Sequence, residues 1–372
     1  MDLYIGLMSG TSLDGVDGVL VSFDAGASPL QVLAHAHRPF EAALADELLA
    51  LNTAGANELH RAALAANALV RGSAEVVRTL LADSRTGAAQ VMAIGAHGQT
   101  VRHRPGEFDG VGYTLQLNNP ALLAESCGID VVADLRSRDV AAGGQGAPLV
   151  PAFHRAAFGR DGETVAVLNL GGIANLTVLN ADGTTLGFDC GPANALMDHW
   201  CRLHTGRPFD DAGAWAASGQ PDASLLARLL ADPYFSLAPP KSTGRDLFHP
   251  TWLNARLATC DAPLRPADVQ ATLAELTATV CATDIARHAS DSRELLVCGG
   301  GALNRHLMQR LAAHLPRMTV QPTDARGLPS QQVEACAFAW LARAFTRREC
   351  ANLASVTGAK GPRVLGALYP AR

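Results

Sequence analysis

Three apolar segments of this chain each end in a turn that is rich in glycine. Residues 3–8 and 16–23 flank the polar turn 9–15, and this pattern predicts a β-hairpin with a wide polar tip. A second hairpin is predicted over residues 164–179, where Gly171–Gly172 form the tip. Two hairpins of such similar design suggest that the chain contains duplicated domains.

The third segment continues into a helix rather than into a second strand. Residues 294–298 are apolar, three glycines follow at 299–301, and leucines recur at 303, 307 and 311. This spacing indicates an amphipathic helix after the glycines. The start of such a helix offers free N–H groups and the positive end of a dipole, which suit an anion or a nucleotide.

Helices are predicted between these segments, so strands alternate with helices and the fold class is α/β. We predict an N-terminal lobe over 1–135 and a C-terminal lobe over 136–372, with the last residues packing back on the first lobe. The glycine-rich stretch 141–148 is either a hinge at a domain boundary or an ordinary tight loop. Helical spacing of apolar residues is found at 41–51, at 58–82, after Pro266 and at 334–344.

The composition argues against several classes of protein. With 30 basic and 35 acidic residues, the 372-residue chain has a formal net charge of −5, unlike a protein that coats nucleic acid or an anionic membrane. Its eight cysteines include no C-x-x-C pair, which disfavours zinc and iron–sulfur sites. The N-terminus does not resemble a signal peptide and no long apolar run is present, so we expect a soluble cytoplasmic protein.

Lysine is nearly absent, since only Lys241 and Lys360 occur in the chain. The sequence G-x-x-x-x-G-K-[ST] is missing, which excludes P-loop kinases and ATPases. G-x-S-x-G, H-E-x-x-H and G-x-G-x-x-G are missing as well, so serine hydrolases, zincins and Rossmann dehydrogenases lose their usual sequence support. Any phosphate binding must therefore rely on backbone N–H groups and hydroxyl groups.

The predicted hairpin tips carry the groups that such binding needs. Successive N–H groups in a glycine-rich turn form an anion-binding nest, and the hydroxyls of residues 9, 11 and 12 add donors. Asp14 and Asp17 lie beside the first tip, where a carboxylate next to a triphosphate requires a cation between them. Mg²⁺, held by Asp14 through water, meets this requirement. One such tip is more often a plain turn, but three tips in one chain favour nucleotide binding.

Asp189 is a candidate for acid–base chemistry because it stands between glycines just after the second hairpin. A carboxylate held rigidly in a tight backbone corner suits a general base near a transferred phosphoryl group. The other interpretation is an Asx-turn acid that caps a helix starting near residue 194. The local sequence leaves both interpretations open.

Polar residues also cluster at 95–100 and at 134–139. The arginines of the second cluster either clamp anionic substrate groups or form a surface ion-pair network with the neighbouring aspartates. His97, in the first cluster, is either functional or a satisfied structural histidine. No supporting context surrounds four other histidines, and we interpret them as surface or core residues: His35, His37, His199 and His204.

Taken together, these segments resemble the anhydro-N-acetylmuramic acid kinase family. The ten residues Met8-Ser9-Gly10-Thr11-Ser12-Leu13-Asp14-Gly15-Val16-Asp17 are similar to the family's opening phosphate loop and make a very specific match. The pattern G-G-G-A-x-N at 299–304 is shared more widely among sugar kinases. The resemblance covers nearly the whole chain in the expected order, through segments at 98–100, 143–151, 169–176, 191–194, 241–245, 298–304 and 355–359.

The resemblance implies the fold of actin-like ATPases, acetate and sugar kinases and Hsp70, in which two lobes surround a nucleotide cleft and close on substrate. It implies phosphorylation of 1,6-anhydro-N-acetylmuramic acid by ATP, with Mg²⁺, in peptidoglycan recycling. The anhydro ring opens by hydrolysis in the same reaction, which gives N-acetylmuramic acid 6-phosphate and ADP. It also implies a cytoplasmic homodimer whose other partner is the small amino sugar, without nucleic acid or membrane.

The resemblance assigns roles to individual residues as well. Asp189 is implied to be the catalytic base that takes a proton from water. Sugar contacts are implied for His97, Gln99, Arg136 and Glu334. ATP contacts are implied for the first loop and the later glycine segments, namely Gly10, Thr11, Ser12, Leu13, Asp14, Gly15, Val16, Asp17, Gly171, Gly172, Gly299, Gly300, Gly301 and Asn304.

Three residues depart from the family pattern. Cys190 stands where the family commonly has threonine, and Leu135 and Ser137 replace phenylalanine and arginine in the stretch D-F-R-R-R-D. Two other functions are compatible with the residues. One is a kinase of the same fold that acts on a plain sugar or a carboxylic acid, and the other is a non-enzymatic nucleotide switch of the actin or chaperone type.

Overall fold

Thirteen strands and thirteen α-helices lie in the described residues, which are 2–10, 12–23, 30–244 and 247–372 of this computed structural model. The strands are β1 (Leu3–Met8), β2 (Gly15–Ser22), β3 (Gln31–Pro39), β4 (Val91–Ala96), β5 (Gln99–Pro105), β6 (Gly112–Leu117), β7 (Val131–Ala133), β8 (Val165–Leu170), β9 (Ile173–Leu179), β10 (Thr185–Pro192), β11 (Glu294–Cys298), β12 (Thr319–Pro322) and β13 (Ala367–Tyr369). The helices are α1 (Ala42–Ala50), α2 (Glu58–Ser84), α3 (Pro120–Cys127), α4 (Ser137–Ala141), α5 (Val150–Phe158), α6 (Asn194–Thr205), α7 (Ala214–Ala217), α8 (Ala223–Leu230), α9 (Pro250–Leu257), α10 (Pro266–His288), α11 (Arg305–His314), α12 (Val333–Thr346) and α13 (Ala354–Thr357). None of the helices described here is both long and apolar enough to cross a bilayer.

The chain forms two compact units, and the C-terminal segment belongs to the first of them. One unit comprises residues 1–157 and 332–372, and the other comprises residues 158–331. The division predicted after residue 135 lies inside the first unit, because α5 still packs there. Phe153 of α5 contacts Trp340 of α12, with 6.2 Å between the ring centroids.

The central sheets of the two units have the same strand order. The first sheet runs β3-β2-β1-β4-β7 and is extended by β13, while the second runs β10-β9-β8-β11-β12. In both sheets the first three strands of the unit are antiparallel neighbours, and the next two run parallel to the first. This repeated α/β topology agrees with the duplication inferred from the hairpins. It is also the fold class expected of an actin-like kinase.

Helix α12 lies on the first sheet at a distance that only glycine permits. Gly6 of β1 and Gly95 of β4 are direct neighbours in the sheet. A Cβ on Gly6 would lie 1.9 Å from the carbonyl oxygen of Ala335, and one on Gly95 would lie 2.0 Å from that of Phe338. The helix therefore packs its backbone, rather than its side chains, against these two strands. This contact fixes the position of every side chain that α12 presents.

The second unit is organised around α10, which is opened by Pro266 as the sequence predicts. Most of its residues are buried on all sides, since it packs against β9, β10 and four other helices. Thr277 of α10 donates a hydrogen bond to the carbonyl oxygen of Pro192 at 3.0 Å. This bond ties α10 to the end of β10, where Asp189 lies three residues earlier.

The stretch 141–148 is a tight loop inside the first unit and not a hinge between the units. Its organising group is the fully buried carboxylate of Asp139. This carboxylate accepts hydrogen bonds from the N–H of Gly146 at 2.7 Å, from Asn352 Nδ2 at 2.6 Å and from Thr357 Oγ1 at 2.8 Å. These bonds connect the loop to the C-terminal segment of the same unit.

We expect Gly95→Ala to destabilise the protein by about 3 kcal/mol, because the new methyl group meets the backbone of α12 and cannot be accommodated by a side-chain rotation. Gly72→Ala is the matched control, since a Cβ at this position of α2 meets only Arg38 atoms at 3.6 Å. We expect it to stabilise the helix by about 0.5–1 kcal/mol. Thermal and urea unfolding measure both changes, and equal effects of the two substitutions would contradict the close packing of α12.

Candidate active site

Ser9, at the start of the β1–β2 connection, is held by two residues that follow β4. Its hydroxyl donates a hydrogen bond to Gln99 Oε1, and its carbonyl oxygen lies 3.2 Å from Nδ1 of His97. Ser9 is buried, unlike Ser12 in the same connection. The predicted phosphate loop is therefore anchored at its first residue.

The rest of this loop presents unused hydrogen-bond donors. Within the ranges that the structure describes, no acceptor meets the N–H groups of Gly10 and Ser12. The Ser12 hydroxyl donates to Asp14 Oδ1 at 2.7 Å, and Leu13 has a φ of 58°, which is uncommon for a residue with a side chain. Thr11 lies outside the described residues. These features are those of an anion-binding turn.

The last three residues of the predicted ATP loop belong to strand β2, where Val16 is buried in the core. Asp17 points toward β3, because its Oδ1 lies 3.4 Å from His35 Nε2 and 3.1 Å from His37 Nδ1. Both histidines are exposed, as the surface interpretation predicts, but their contact with Asp17 was not found from the sequence. Gly15 permits the close pairing of the two strands, since a Cβ would lie 2.3 Å from the carbonyl oxygen of Arg38. The ATP contacts of these three residues stay a prediction.

His97 is a neutral imidazole with a defined proton position. Its Nε2 lies 3.1 Å from Arg136 Nε and 3.0 Å from Arg136 Nη2. A guanidinium only donates, so Nε2 must be the unprotonated nitrogen and Nδ1 donates to the Ser9 carbonyl. Burial and the nearby Arg136 charge lower the pKa of His97 to about 3. His97 therefore links Arg136 to the phosphate loop, because it binds Arg136 through Nε2 and Ser9 through Nδ1.

Arg136 itself is held by the tight loop and lies near Glu334. Its Nη1 donates to the carbonyl oxygen of Gly146 at 2.9 Å. Burial lowers the pKa of Arg136 to about 10, and the negative charge of Glu334 partly opposes this shift. Glu334 stands in the first turn of α12, and Phe338 one turn later packs against His97 with 4.7 Å between ring centroids. The structure therefore groups the four residues predicted to bind sugar.

The surface ion-pair network proposed for residues 134–139 is not observed. Asp139 is fully buried and serves the tight loop, while Ser137 donates to Asp134 at 2.5 Å. Leu135, which replaces the family's phenylalanine, is buried in the core. The departures at 135 and 137 therefore leave the contacts of Arg136 in place.

The two glycine segments of the second unit adjoin, because β8 and β11 are neighbouring strands. A Cβ on Gly299, whose φ is +79°, would lie 2.4 Å from Asn169 Oδ1, and one on Gly301 would lie 2.5 Å from the Leu170 side chain. Asn169 Oδ1 is buried and has no hydrogen-bond partner among the described residues. An orphaned polar atom of this kind is normally completed by a ligand or by water.

The same segments contain backbone donors that are not used within the protein. No acceptor in the described part of the chain meets the N–H groups of Gly171, Gly172, Gly300 and Gly301. The carbonyl oxygens of Gly171 and Gly172, by contrast, accept hydrogen bonds from the start of α6. Such unused N–H groups are the kind of donor that a phosphate-binding turn supplies.

The helix after the three glycines begins later than predicted. Gly300–Leu303 form a 3₁₀ turn, and α11 starts only at Arg305. Asn304 caps this helix, because its Oδ1 accepts the N–H of Leu307 at 3.0 Å. The donors at this site are consequently the glycine N–H groups themselves, and the nucleotide contact of Asn304 stays a prediction.

Asp189 lies within strand β10 and not in a tight corner after it. Asp189 pairs with Asn175 and Gly191 pairs with Ala174, so Cys190 is the extra residue of a β-bulge. The helix-capping interpretation is also wrong, because α6 has no side-chain cap at its first turn. The bulge turns the strand at the candidate base.

The Asp189 carboxylate is held through one oxygen only. Oδ2 accepts hydrogen bonds from Ser242 Oγ and from the N–H of Thr243, each at 3.0 Å. Burial raises the pKa of Asp189, and these two donors and the Lys241 charge partly oppose the shift. Oδ1 has no hydrogen-bond donor among the described residues, so it is available to accept a proton.

Several residues around Asp189 were not found from the sequence. The Tyr234 hydroxyl donates to the Asp189 carbonyl oxygen at 2.8 Å, and the Asp189 N–H donates to the Lys241 carbonyl oxygen at 3.1 Å. Thr243 Oγ1 is buried without a partner in the described residues. Segment 241–245 was matched to the family from the sequence but was given no role, although Lys241, one of only two lysines, is followed there by two hydroxyl residues.

Cys190 is fully buried in the core beneath the candidate base. Its hydrogen bond with Cys281 and its burial raise the pKa of this thiol well above its usual value, so it remains neutral. A neutral thiol therefore occupies the buried position where the family commonly has threonine.

A metal ion bound at Asp14 would need further ligands from the substrate. No group of three or more histidine, cysteine, aspartate or glutamate side chains in the described ranges could hold one. The exposed carboxylate of Asp14 accepts one hydrogen bond, from Ser12. A single carboxylate completed by water and phosphate oxygens is the arrangement that Mg²⁺ commonly uses.

Comparison with known proteins identifies the family of the chain. The sequence model described as anhydro-N-acetylmuramic acid kinase matches residues 2–371. A protein of that name from Variovorax paradoxus (strain S110) is 68% identical over 375 residues, which cover 100% of this chain and 99% of the relative. Another from Albidiferax ferrireducens (strain ATCC BAA-621 / DSM 15236 / T118) is 62% identical over 390 residues and covers 100% of both chains.

Among solved structures, component A of Acidaminococcus fermentans (R)-2-hydroxyglutaryl-CoA dehydratase aligns with 91% of this chain and 96% of its own, at 10% identity and a TM-score of 0.49. The full-length sequence match confirms the resemblance predicted from the opening loop and the glycine segments. The chain is therefore a kinase that belongs to the anhydro-N-acetylmuramic acid kinase family.

Proposed function

We propose that this kinase phosphorylates 1,6-anhydro-N-acetylmuramic acid with ATP while water opens the anhydro ring. The products are N-acetylmuramic acid 6-phosphate and ADP. The observation that carries the proposal is the Asp189 carboxylate, which is held through Oδ2 and has Oδ1 available. Family membership supports the sugar and the phosphoryl transfer.

In the proposed reaction Asp189 Oδ1 takes a proton from water as the water oxygen attacks the anomeric carbon. The bond between this carbon and O6 breaks, and O6 attacks the γ-phosphorus. The bond between the γ-phosphorus and the oxygen that bridges to the β-phosphate breaks, and ADP leaves. Burial raises the pKa of Asp189 and so makes it a stronger base than an ordinary carboxylate.

The first unit would bind phosphate through its backbone. The N–H groups of Gly10 and Ser12 are available, and the loop is anchored at Ser9 before any ligand arrives. Such preorganised donors stabilise transferred charge without a lysine in the loop. Asp14 would bind Mg²⁺ through water, and the ion would neutralise charge on the phosphates.

The second unit would contribute further nucleotide contacts. The N–H groups of its glycine turns and the orphaned Asn169 Oδ1 are of the donor and acceptor types that a nucleotide pairs with. Gly299 and Gly301 allow this segment to lie close against β8, because a Cβ at either position would clash with Asn169 or Leu170. The kinase family supports ATP as the phosphoryl donor.

The sugar would be recognised by the cluster around Arg136. The guanidinium has five N–H donors, and three of them already bind His97 and Gly146. The remaining donors suit the lactyl carboxylate that distinguishes a muramic acid from other amino sugars. Glu334, at the start of α12, would accept a hydrogen bond from a sugar hydroxyl.

We place the reaction in the cytoplasm, where ATP is available, and in peptidoglycan recycling, which supplies anhydro-muramic acid sugars. A homodimer is proposed on the family resemblance alone. No nucleic acid or membrane takes part in the proposed reaction.

Incubation with ATP, Mg²⁺ and the anhydro sugar in H₂¹⁸O tests the reaction directly. We expect mass spectrometry of the promptly quenched product to show one ¹⁸O at the anomeric hydroxyl, because water attacks this carbon. Unlabelled N-acetylmuramic acid 6-phosphate kept in the same water gives the background from slow exchange. A phosphorylated product that still contains the anhydro ring, or one labelled no more than background, would refute the proposal.

Asp189→Asn should reduce kcat by roughly 10³-fold, because the amide cannot take the proton from water. We expect the variant to retain its unfolding midpoint and its affinity for ATP, since the amide oxygen can still accept from Ser242 and Thr243. Asp161→Asn is the control, because this aspartate is exposed in a surface turn. Turnover of Asp189→Asn within tenfold of the parent would rule Asp189 out as the base.

A further inference from the structure

Lys241 is the buried lysine of the chain, and its charge is paired inside the second unit. Its Nζ lies 3.1 Å from Asp284 Oδ2 of α10, and the two side chains are 2% and 4% exposed. The ammonium also faces the rings of Phe188 at 5.5 Å and Tyr234 at 5.3 Å. Removing two charges from water costs several kcal/mol per ion before pairing recovers it, so stability alone is a poor reason for such a pair.

The two aromatic residues that face this ammonium also adjoin Asp189. Phe188 is the residue before it in β10, and the Tyr234 hydroxyl donates to its carbonyl oxygen. The Lys241 carbonyl oxygen accepts the Asp189 N–H. The next two residues, 242 and 243, supply both donors to Asp189 Oδ2.

We propose that Lys241 is a positioning residue for Asp189, and that its ion pair with Asp284 holds segment 241–243 where it binds the Asp189 carboxylate. The segment follows two prolines and has no regular secondary structure, so an internal anchor is needed to place its donors. Asp284 supplies that anchor from α10, the best buried helix of the unit. The inference rests on the proposed role of Asp189 as the base.

The ion pair also sets the electrostatic surroundings of Asp189. Lys241 favours the charged form of Asp189, while Asp284 carries the compensating negative charge. The other titratable groups packed here are Cys190, Cys281, Tyr234 and His288. The Cys281 hydrogen bond and burial raise the pKa of Cys190, burial raises that of Tyr234, and burial lowers that of His288, so these three are neutral near pH 7. His288 takes up its proton below its ordinary range, so the acid limb of a pH–rate profile is assigned to Asp189 by comparison with Asp189→Asn, whose residual activity should lack that limb.

Lys241→Met tests the proposal, with Arg310→Met as the matched control. Arg310 also pairs with a mostly buried carboxylate, Glu275, but it lies elsewhere in the unit. We expect Lys241→Met to lower kcat by roughly 10- to 100-fold with little change in either KM, because the base is misplaced rather than the substrate. The acid limb of kcat/KM should move to higher pH, because loss of the positive charge disfavours the carboxylate.

Arg310→Met should lose comparable thermal stability while its kcat and pH profile stay those of the parent. A Lys241→Met protein that unfolds at a lower temperature but keeps its kcat and its acid limb would overturn the proposal, because the pair would then be merely structural. If Lys241→Met does not fold, Asp284→Asn replaces it as the test. It changes one atom and leaves the lysine charge uncompensated, so the acid limb should move to lower pH, and a limb that stays or rises contradicts the proposal.

Failure of this inference can be separated from failure of the proposed function. If Asp189→Asn is inactive while Lys241→Met behaves like Arg310→Met, Asp189 remains the base and only the positioning role is lost. If Asp189→Asn retains activity, the proposed mechanism fails whatever the Lys241 variants do. Circular dichroism and ATP binding by each variant establish that the folded protein is being compared.

Discussion

The contact between the backbone of α12 and the two glycines of β1 and β4 is the constraint on which the first unit depends. It brings the end of the chain onto the sheet that the beginning of the chain forms. Phe338 is thereby placed against His97, and His97 holds the carbonyl group of Ser9. A packing distance inside the core thus determines the geometry of a surface loop.

In the second unit the candidate base is held in position by charged groups and hydrogen bonds rather than by close packing of the backbone. The Asp189 carboxylate is removed from bulk water, which penalises its ionised form, and its partners are two donors on one short segment. That segment carries the buried Lys241–Asp284 pair. Burying two ions costs free energy of folding. Such a pair is useful where it fixes a reacting group, because a reaction is sensitive to small displacements that the folded structure tolerates.

Much of the fold could be predicted because it depends on local periodicity. The hairpins, the helix opened by Pro266 and the helix at 334–344 all follow from the spacing of apolar residues. The same reasoning did not find contacts between residues that are distant in the sequence. Gly6 and Gly95 serve helix packing, and Asp17 meets histidines from the next strand.

In the candidate site, too, some features follow from the local sequence and others depend on distant residues. The glycine turns could be selected from the sequence as candidates for phosphate binding, since the donors would be local backbone groups. The bulge at Cys190 and the role of Asp139 could not, because both depend on partners far away in the sequence. Residues 332–372 return to the first unit from the far end of the chain, as expected of the last residues, whereas the place of α5 in that unit depends on distant contacts such as that of Phe153 with Trp340.

The scarcity of lysine gives the protein an unusual chemical property. Lys360 is exposed, whereas Lys241 is covered by aromatic rings and paired with Asp284. An amine-directed reagent therefore meets one side-chain amine in the folded chain and a second only after this part of the second unit opens. The rate at which the second amine reacts is a direct measure of local opening around Asp189, and it needs no engineered label.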